Sequence, residues 1–139
     1  MKKLLSIAFA LMLLSGCSSL LTPPMCEDNF DNTVYFAFDS SELTYESQVT
    51  LSDQIEVIKD TNSAVLIEGH ADERGTREYN LGLGERRANA VAEYMIMKGV
   101  DESKVSTVSY GKERPAVKGH NEGAWKFNRR AVTVFKDAE

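Results

Sequence analysis

Apolar and polar positions along this chain follow two rhythms that take turns. From Asn32 to Phe38, Val34, Phe36 and Phe38 alternate with Tyr35 and Ala37, and a period of two marks a strand. Asp39-Ser40-Ser41 follows as turn chemistry, because each of these side chains can hydrogen-bond a nearby backbone amide. Past Thr44, read as an N-cap, the period changes. Leu51, Ile55 and Ile58 recur at i, i+4 and i+7, which predicts a helix to about Asp60 with Glu46, Asp53, Glu56 and Lys59 mostly off the apolar stripe. Thr61-Asn62-Ser63 ends that helix. Ala64–Ile67 is a short apolar run between turn residues and reads as a buried strand. Gly69–Tyr79 has no apolar periodicity and reads as a loop. A second helix is expected from about Asn80 to Lys98, burying Leu83, Val91, Tyr94 and Met95, with Gly99-Val100 as a Schellman-type stop. Asp101–Lys104 then makes a capped turn, Val105–Tyr110 a third strand, Gly111–Gly123 a loop, Glu122–Asn128 one or two helical turns anchored by Trp125, and Ala131–Phe135 a last strand. The order β-α-β-α-β-(α)-β predicts an α/β fold with helices packed on a small sheet.

The N-terminus changes the picture from a domain to an addressed domain. Met1-Lys2-Lys3 is a basic start, and Leu4–Leu14 is an apolar run broken by one Ser, too short for a comfortable membrane span. It ends in Leu14-Ser15-Gly16-Cys17, which resembles the bacterial lipobox. The expected organisation is a signal peptide over 1–16, a lipidated Cys17 with a short tether over 17–31, and one domain over 32–136. Acyl chains on Cys17 would anchor the chain, each buried CH₂ contributing about 0.8 kcal/mol. Ser18, rather than Asp, after the Cys resembles outer-membrane lipoproteins. The tether carries Pro23-Pro24, which favours an extended path, and it spans at most roughly 50 Å. Cys26 lies in it as the one remaining thiol, and it either pairs between chains or stays free.

Charge narrows the partners. The 139 residues carry a net charge of −5. Without residues 1–16, which hold Lys2 and Lys3 and no acid, the balance is 14 basic against 21 acidic residues, or −7. That disfavours nucleic acid and anionic membrane surfaces, so no nucleic-acid partner is expected.

The chemistry concentrates in Glu68-Gly69-His70-Ala71-Asp72-Glu73-Arg74-Gly75-Thr76 and in the helix that opens with Leu83-Gly84-Glu85-Arg86-Arg87-Ala88. A strand end, a loop and a helix N-terminus meet there, gathering backbone amides, carboxylates and guanidinium groups. Such a place suits a small zwitterion carried on a polymer, and binding rather than turnover. Asn80, Leu83 and Arg87 share one helical face. Arg86 points about 100° away and is expected in solvent, as are Glu73 and Arg74. Arg129 and Arg130 are expected to brace the sheet or the loop acids.

Together with Phe38-Asp39-Ser40, Tyr79-Asn80, Ser109-Tyr110-Gly111 and Asn128-Arg129-Arg130, these motifs resemble the OmpA-like domain family over about residues 32–136, and within it the peptidoglycan-associated lipoproteins of the Tol-Pal system. The resemblance implies an α/β OmpA-like domain with a small mixed four-stranded sheet. It implies non-covalent binding of the meso-diaminopimelate of the peptidoglycan stem peptide. Asp72 would pair with the ammonium of the free end of diaminopimelate and Arg87 with its carboxylate. Phe38, Asp39 and Ser40 would form a further wall, with Gly69, Thr76, Asn80 and Leu83 completing the site. It also implies a TolB-like periplasmic partner, outer-membrane lipid as the anchor for Cys17, and a domain facing the periplasm. The alternative is an OmpA-like lipoprotein outside the Tol system whose main partner is another envelope protein.

Enzymatic readings find little support. His70 and His120 lie fifty residues apart without a zinc spacing. There is no Gly-x-Ser-x-Gly elbow, and Gly82-Leu83-Gly84 lacks the third Gly of a dinucleotide loop. A wall hydrolase working through Glu68, Asp72 or Glu73 is the nearest enzymatic rival. No cofactor, metal or catalytic residue is expected.

Overall fold

The computed structural model of the chain describes residues 30–136. The expected signal peptide, Cys17 and most of the tether, including Cys26, lie outside the described residues. The elements are β1 (Thr33–Tyr35), α1 (Tyr45–Thr61), β2 (Ala64–His70), α2 (Arg77–Met97), a 3₁₀ turn (Glu102–Lys104), β3 (Val105–Gly111), α3 (Glu122–Asn128) and β4 (Arg130–Lys136). The four strands form one mixed sheet in the order β1-β4-β2-β3. β4 is antiparallel to both β1 and β2, and β2 is parallel to β3. The parallel pair is joined through α2, as parallel strands require a long crossover.

The sheet is covered on one face. Val65, Ile67 and Gly69 of β2 share that face with Ala131 and Thr133 of β4 and Val34 of β1. Leu51, Ile55 and Ile58 from α1 and Ala88, Val91, Ala92 and Met95 from α2 join Val34, Val65, Ile67 and Ala131 in the apolar core. Gln54 of α1 is fully buried in the same layer and is satisfied by the Thr133 hydroxyl and the Asp31 carbonyl. Val134, on the opposite face, is exposed.

Local signals place the helix ends. Thr44 caps α1 by accepting from the Ser47 amide at 3.1 Å. The α2 stop is of the Schellman type, with Val100 N–H donating to the Met95 carbonyl and Gly99 N–H to Ile96. Three expected boundaries are corrected. β2 runs on through Glu68, Gly69 and His70, because β3 pairs with it as far as His70 and β4 as far as Gly69. α2 starts three residues before Asn80, because Thr76 caps it by accepting from the Tyr79 amide. β1 is only three residues long, because the chain after Phe36 leaves the sheet and turns its carbonyls toward α2. Trp125 is likewise not the anchor of α3. Ala124 and Asn128 are the buried residues, and Trp125 is half-buried over the loop after β2.

Candidate functional site

The site forms where β2 ends and α2 begins. The β2–β3 register shifts between Gly69 and His70, a bulge of the kind that re-aims side chains beside functional sites. Gly69 itself faces α2. A Cβ on it would lie 1.7 Å from the Gly84 carbonyl oxygen, so the pair of glycines lets helix and strand cross at backbone distance. Gly69 therefore positions the site from below and does not line it.

The next six residues fold tightly. Asp72 accepts from the Arg74 amide at 3.0 Å, an Asx turn. Gly75 has φ +95, a conformation that L-residues with a side chain avoid. The side-chain amide of Asn80, itself buried, donates to the Arg74 carbonyl at 2.8 Å and ties the loop to the first turn of α2. The outcome is an open pocket of about 240 Å³ lined by Phe38, Asp39, Asp72, Arg74, Gly75, Tyr79, Asn80, Leu83 and Arg87.

Six of the nine expected residues thus line one cavity: Asp72, Arg87, Phe38, Asp39, Asn80 and Leu83. Ser40 contributes from behind through its carbonyl, which accepts from Arg87 Nε at 2.8 Å. Thr76 is the cap of α2, and Gly69 is the crossing point. Arg74, Gly75 and Tyr79 belong to the pocket and were not expected. Arg86 is exposed, as expected.

Arg87 is the most unusual group of the pocket. It is 0% exposed, and its guanidinium donates to three backbone carbonyls: Ser40, His70 at 2.9 Å and Ala37 at 3.1 Å. No carboxylate is within salt-bridge distance of it among the described residues. Burial lowers its pKa to about 10; Asp72 and Asp39 oppose that shift, and Arg129 and Arg86 add to it. It remains a cation at neutral pH. Its five N–H donors leave two beyond the three used. The site therefore presents a desolvated positive charge held by neutral partners.

Asp72 is the counterpart, 5% exposed. Its Oδ1 accepts from Arg74 Nε at 3.2 Å and its Oδ2 from Arg74 Nη2 at 2.8 Å. Arg129 Nη1 lies 3.7 Å from Oδ2. Burial pushes its pKa up, but the Arg74 hydrogen bonds and the nearby Arg74 and Arg129 charges outweigh that and hold the carboxyl below its ordinary range. The expectation that Arg74 is a solvated charge is corrected. Its guanidinium lies 4.0 Å from the centres of both the Phe38 and Trp125 rings. Glu73 is half-exposed yet engaged, accepting from the Trp125 indole at 3.0 Å and contacting His120 Nδ1 at 2.8 Å. Arg129 braces the site as expected, with two bonds to Glu122 and one to the Phe36 carbonyl. Arg130 likewise holds the Arg114 carbonyl. Among the described residues no cluster of His, Cys, Asp or Glu could hold a metal ion.

An α/β domain with this sheet order, and with a charged pocket between the end of β2 and the start of α2, has relatives. The OmpA family matches residues 35–129, and the chain belongs to that family. Among named proteins, it is 52% identical over 105 residues to the peptidoglycan-associated lipoprotein of Haemophilus influenzae, covering 75% of this chain and 69% of that one. It is 38% identical over 149 residues to the peptidoglycan-associated lipoprotein of Mesorhizobium japonicum, covering 93% and 89% of the two chains. The crystal structure of the peptidoglycan-associated lipoprotein from Burkholderia pseudomallei superposes with a TM-score of 0.74 at 41% identity, over 76% of this chain and 91% of that one.

Proposed function

We propose that the pocket binds the diaminopimelate of the peptidoglycan stem peptide without covalent attachment, and that the chain tethers the outer membrane to the cell wall as part of a Tol-Pal system. The observation that carries this is Arg87. A buried guanidinium with only carbonyl partners has its hydrogen bonds partly satisfied and its charge unpaired. An uncompensated buried charge is costly, and a carboxylate entering the pocket relieves that cost through the planar fork. The opposite wall suits an ammonium. Oδ2 of Asp72 has acceptor capacity beyond its single Arg74 bond. Asp39 is exposed and lines the same pocket. Two cations and two anions line a cavity of about 240 Å³; with Arg74 already paired to Asp72, Arg87 and the acids Asp72 and Asp39 fit the zwitterionic end of diaminopimelate, with Leu83, Phe38 and Tyr79 against its methylene chain.

The relatives named lipoproteins support reading Cys17 as the acylated end, with outer-membrane lipid as its anchor and the domain facing the periplasm. A wall contact made this way need not be tight, because the membrane supplies a high effective concentration. A TolB-like periplasmic protein is the second partner of this reading.

The test is sedimentation of the chain with purified sacculi containing diaminopimelate, beside sacculi carrying Lys at that position. Selective retention on the first is expected. Asp72→Ala should abolish retention while the domain stays folded, and Arg87→Ala, which also strips three carbonyls of their donor, should abolish it in the fraction that thermal unfolding shows to be folded, since a charge-assisted hydrogen bond contributes roughly 1.5–3 kcal/mol. Equal retention on both sacculi, or wild-type retention of both variants, would refute the site. It would favour an OmpA-like lipoprotein whose main partner is another envelope protein.

A further inference from the structure

The pocket holds two arginines in opposite circumstances, and the difference assigns a role to the second. Arg87 gives its donors to neutral carbonyls and keeps its charge available. Arg74 does the reverse. Its amide, Nε and Nη2 all go to Asp72, and its guanidinium lies 4.0 Å from the centres of two aromatic rings, Phe38 and Trp125. Its backbone is fixed by Asn80, and one of its two rings, Trp125, is fixed by the indole bond to Glu73. The other ring, Phe38, is 62% exposed and forms a pocket wall on its contact with Arg74.

We propose that Arg74, which lines the cavity, is the positioning residue of its acidic side: it acts through Asp72, holding the carboxylate at the angle that receives an ammonium. This rests on the pocket being the diaminopimelate site. Without the Arg74 side chain, the nearest cation to Asp72 is Arg129, 3.7 Å from Oδ2, and the carboxylate would turn toward it, away from the cavity. Phe38 would lose the surface it stacks on. Charge counting alone predicts something else. Removing a cation beside Asp72 leaves that carboxylate's charge less compensated and should tighten its hold on an ammonium. Positioning predicts weaker binding.

The experiment is a double-mutant cycle on the full chain in mild detergent. The stem tripeptide ending in meso-diaminopimelate is titrated calorimetrically into wild type, Arg74→Ala, Arg74→Lys, Asp72→Asn and the Arg74→Ala/Asp72→Asn double variant, with melting temperatures recorded for each. Arg74→Ala is expected to weaken binding on the order of tenfold or more. Arg74→Lys should fail to restore it, because an ammonium cannot offer Asp72 the paired Nε and Nη2 donors. It also serves if the Ala variant does not fold. In the Asp72→Asn background, Arg74→Ala should have an effect of less than about twofold. Tighter binding by Arg74→Ala, wild-type binding by Arg74→Lys, or an equal loss in both backgrounds would overturn the assignment while leaving the pocket in place. Wild-type binding by Asp72→Asn would instead overturn the pocket as the ligand site, and this role with it.

Discussion

Strand β2 and helix α2 each pass through two environments, and the two ends of this pair differ in kind. At one end, Val65 and Ile67 join Val91 and Met95 in the core, none of them more than 1% exposed. At the other end, the same two elements bury His70, Asn80 and Arg87, with Asp72 in the loop between them. The apolar end stabilises by removing hydrocarbon from water, at about 25 cal/mol per Å² and without directional demands. The polar end gives no comparable gain, since buried charges must first recover their lost hydration. Here that recovery is nearly complete for hydrogen bonds and incomplete for charge. Asp72 has Arg74, while Arg87 has only carbonyls. The apolar end of the pair thus carries stability, and the polar end holds the unpaired charge on which the proposed binding rests.

The largest effect expected from that division is at the apolar end. Met95→Ala should lower stability by about 2–5 kcal/mol, measured by urea unfolding. Retention on sacculi should stay at the wild-type level wherever the variant remains folded. A parallel loss of retention would mean that the two ends do not act separately.

The next effect comes from acid and belongs to the polar end. Burial first, then the charges of Arg130 and Arg114, lowers the His70 pKa from 6.5 to about 4. Its Nδ1 is buried with no hydrogen-bond partner in the described structure. Between those values the unfolded chain carries a proton on this imidazole and the folded chain does not. Stability must therefore fall as pH drops from 6.5 to about 4, by roughly 3 kcal/mol from this group. Below about pH 4 the loss from His70 is complete. Asp72, held below the ordinary carboxyl value of 3.8, gives up its own contribution only in more acid solution. His70→Gln should flatten urea midpoints between pH 7 and pH 4.5 and leave the steeper loss below that range. An unchanged slope would mean that the imidazole is already solvated.

Much of this was legible in the sequence, and the parts that were not share a cause. The Thr44 cap, the Gly99 stop and the stripe of Leu51, Ile55 and Ile58 are local signals that depend on neighbours within a turn or two. The apolar end of the β2–α2 pair is written in such signals. The polar end is not. Gly69–Tyr79 has no apolar period, so neither the last residues of β2 nor the first turn of α2 announced themselves. The strand end is fixed by partners elsewhere, β3 and β4, whereas the helix start is a local cap, the Thr76 hydroxyl on the Tyr79 amide, with no apolar stripe after it to mark it. Two of the three carbonyls that hold Arg87 come from Ala37 and Ser40, 50 and 47 residues away, and no spacing rule reaches that far. Arg74 was missed for a nearer reason. The Asx turn that Asp72 makes with its amide was readable from an Asp two residues ahead, but the Trp125 ring that lies 4.0 Å from its guanidinium was not. Resemblance to the OmpA-like family supplied the pocket residues that periodicity could not, and it also drew in Gly69 and Thr76, whose places in the fold are a crossing and a cap.

The smallest effect sharpens the boundary between these roles at Thr76. Its hydroxyl oxygen accepts from the Tyr79 amide at 3.1 Å, and the residue does not line the cavity. Loss of a cap of this kind lowers stability by about 1 kcal/mol, so Thr76→Ala should show that loss in urea unfolding, and Thr76→Ser should recover most of it. Binding is the discriminating quantity. The cap fixes the turn that carries Tyr79 and Asn80, so a slackened turn should weaken wall retention slightly, by less than about threefold given a loss on the order of 0.5 kcal/mol at the site. A hydroxyl donating directly to the ligand would be worth more, because a lost bond to a charged group amounts to roughly 1.5–3 kcal/mol. A loss of tenfold or more in Thr76→Ala, rescued by Ser, would therefore move Thr76 from the frame of the pocket into its wall.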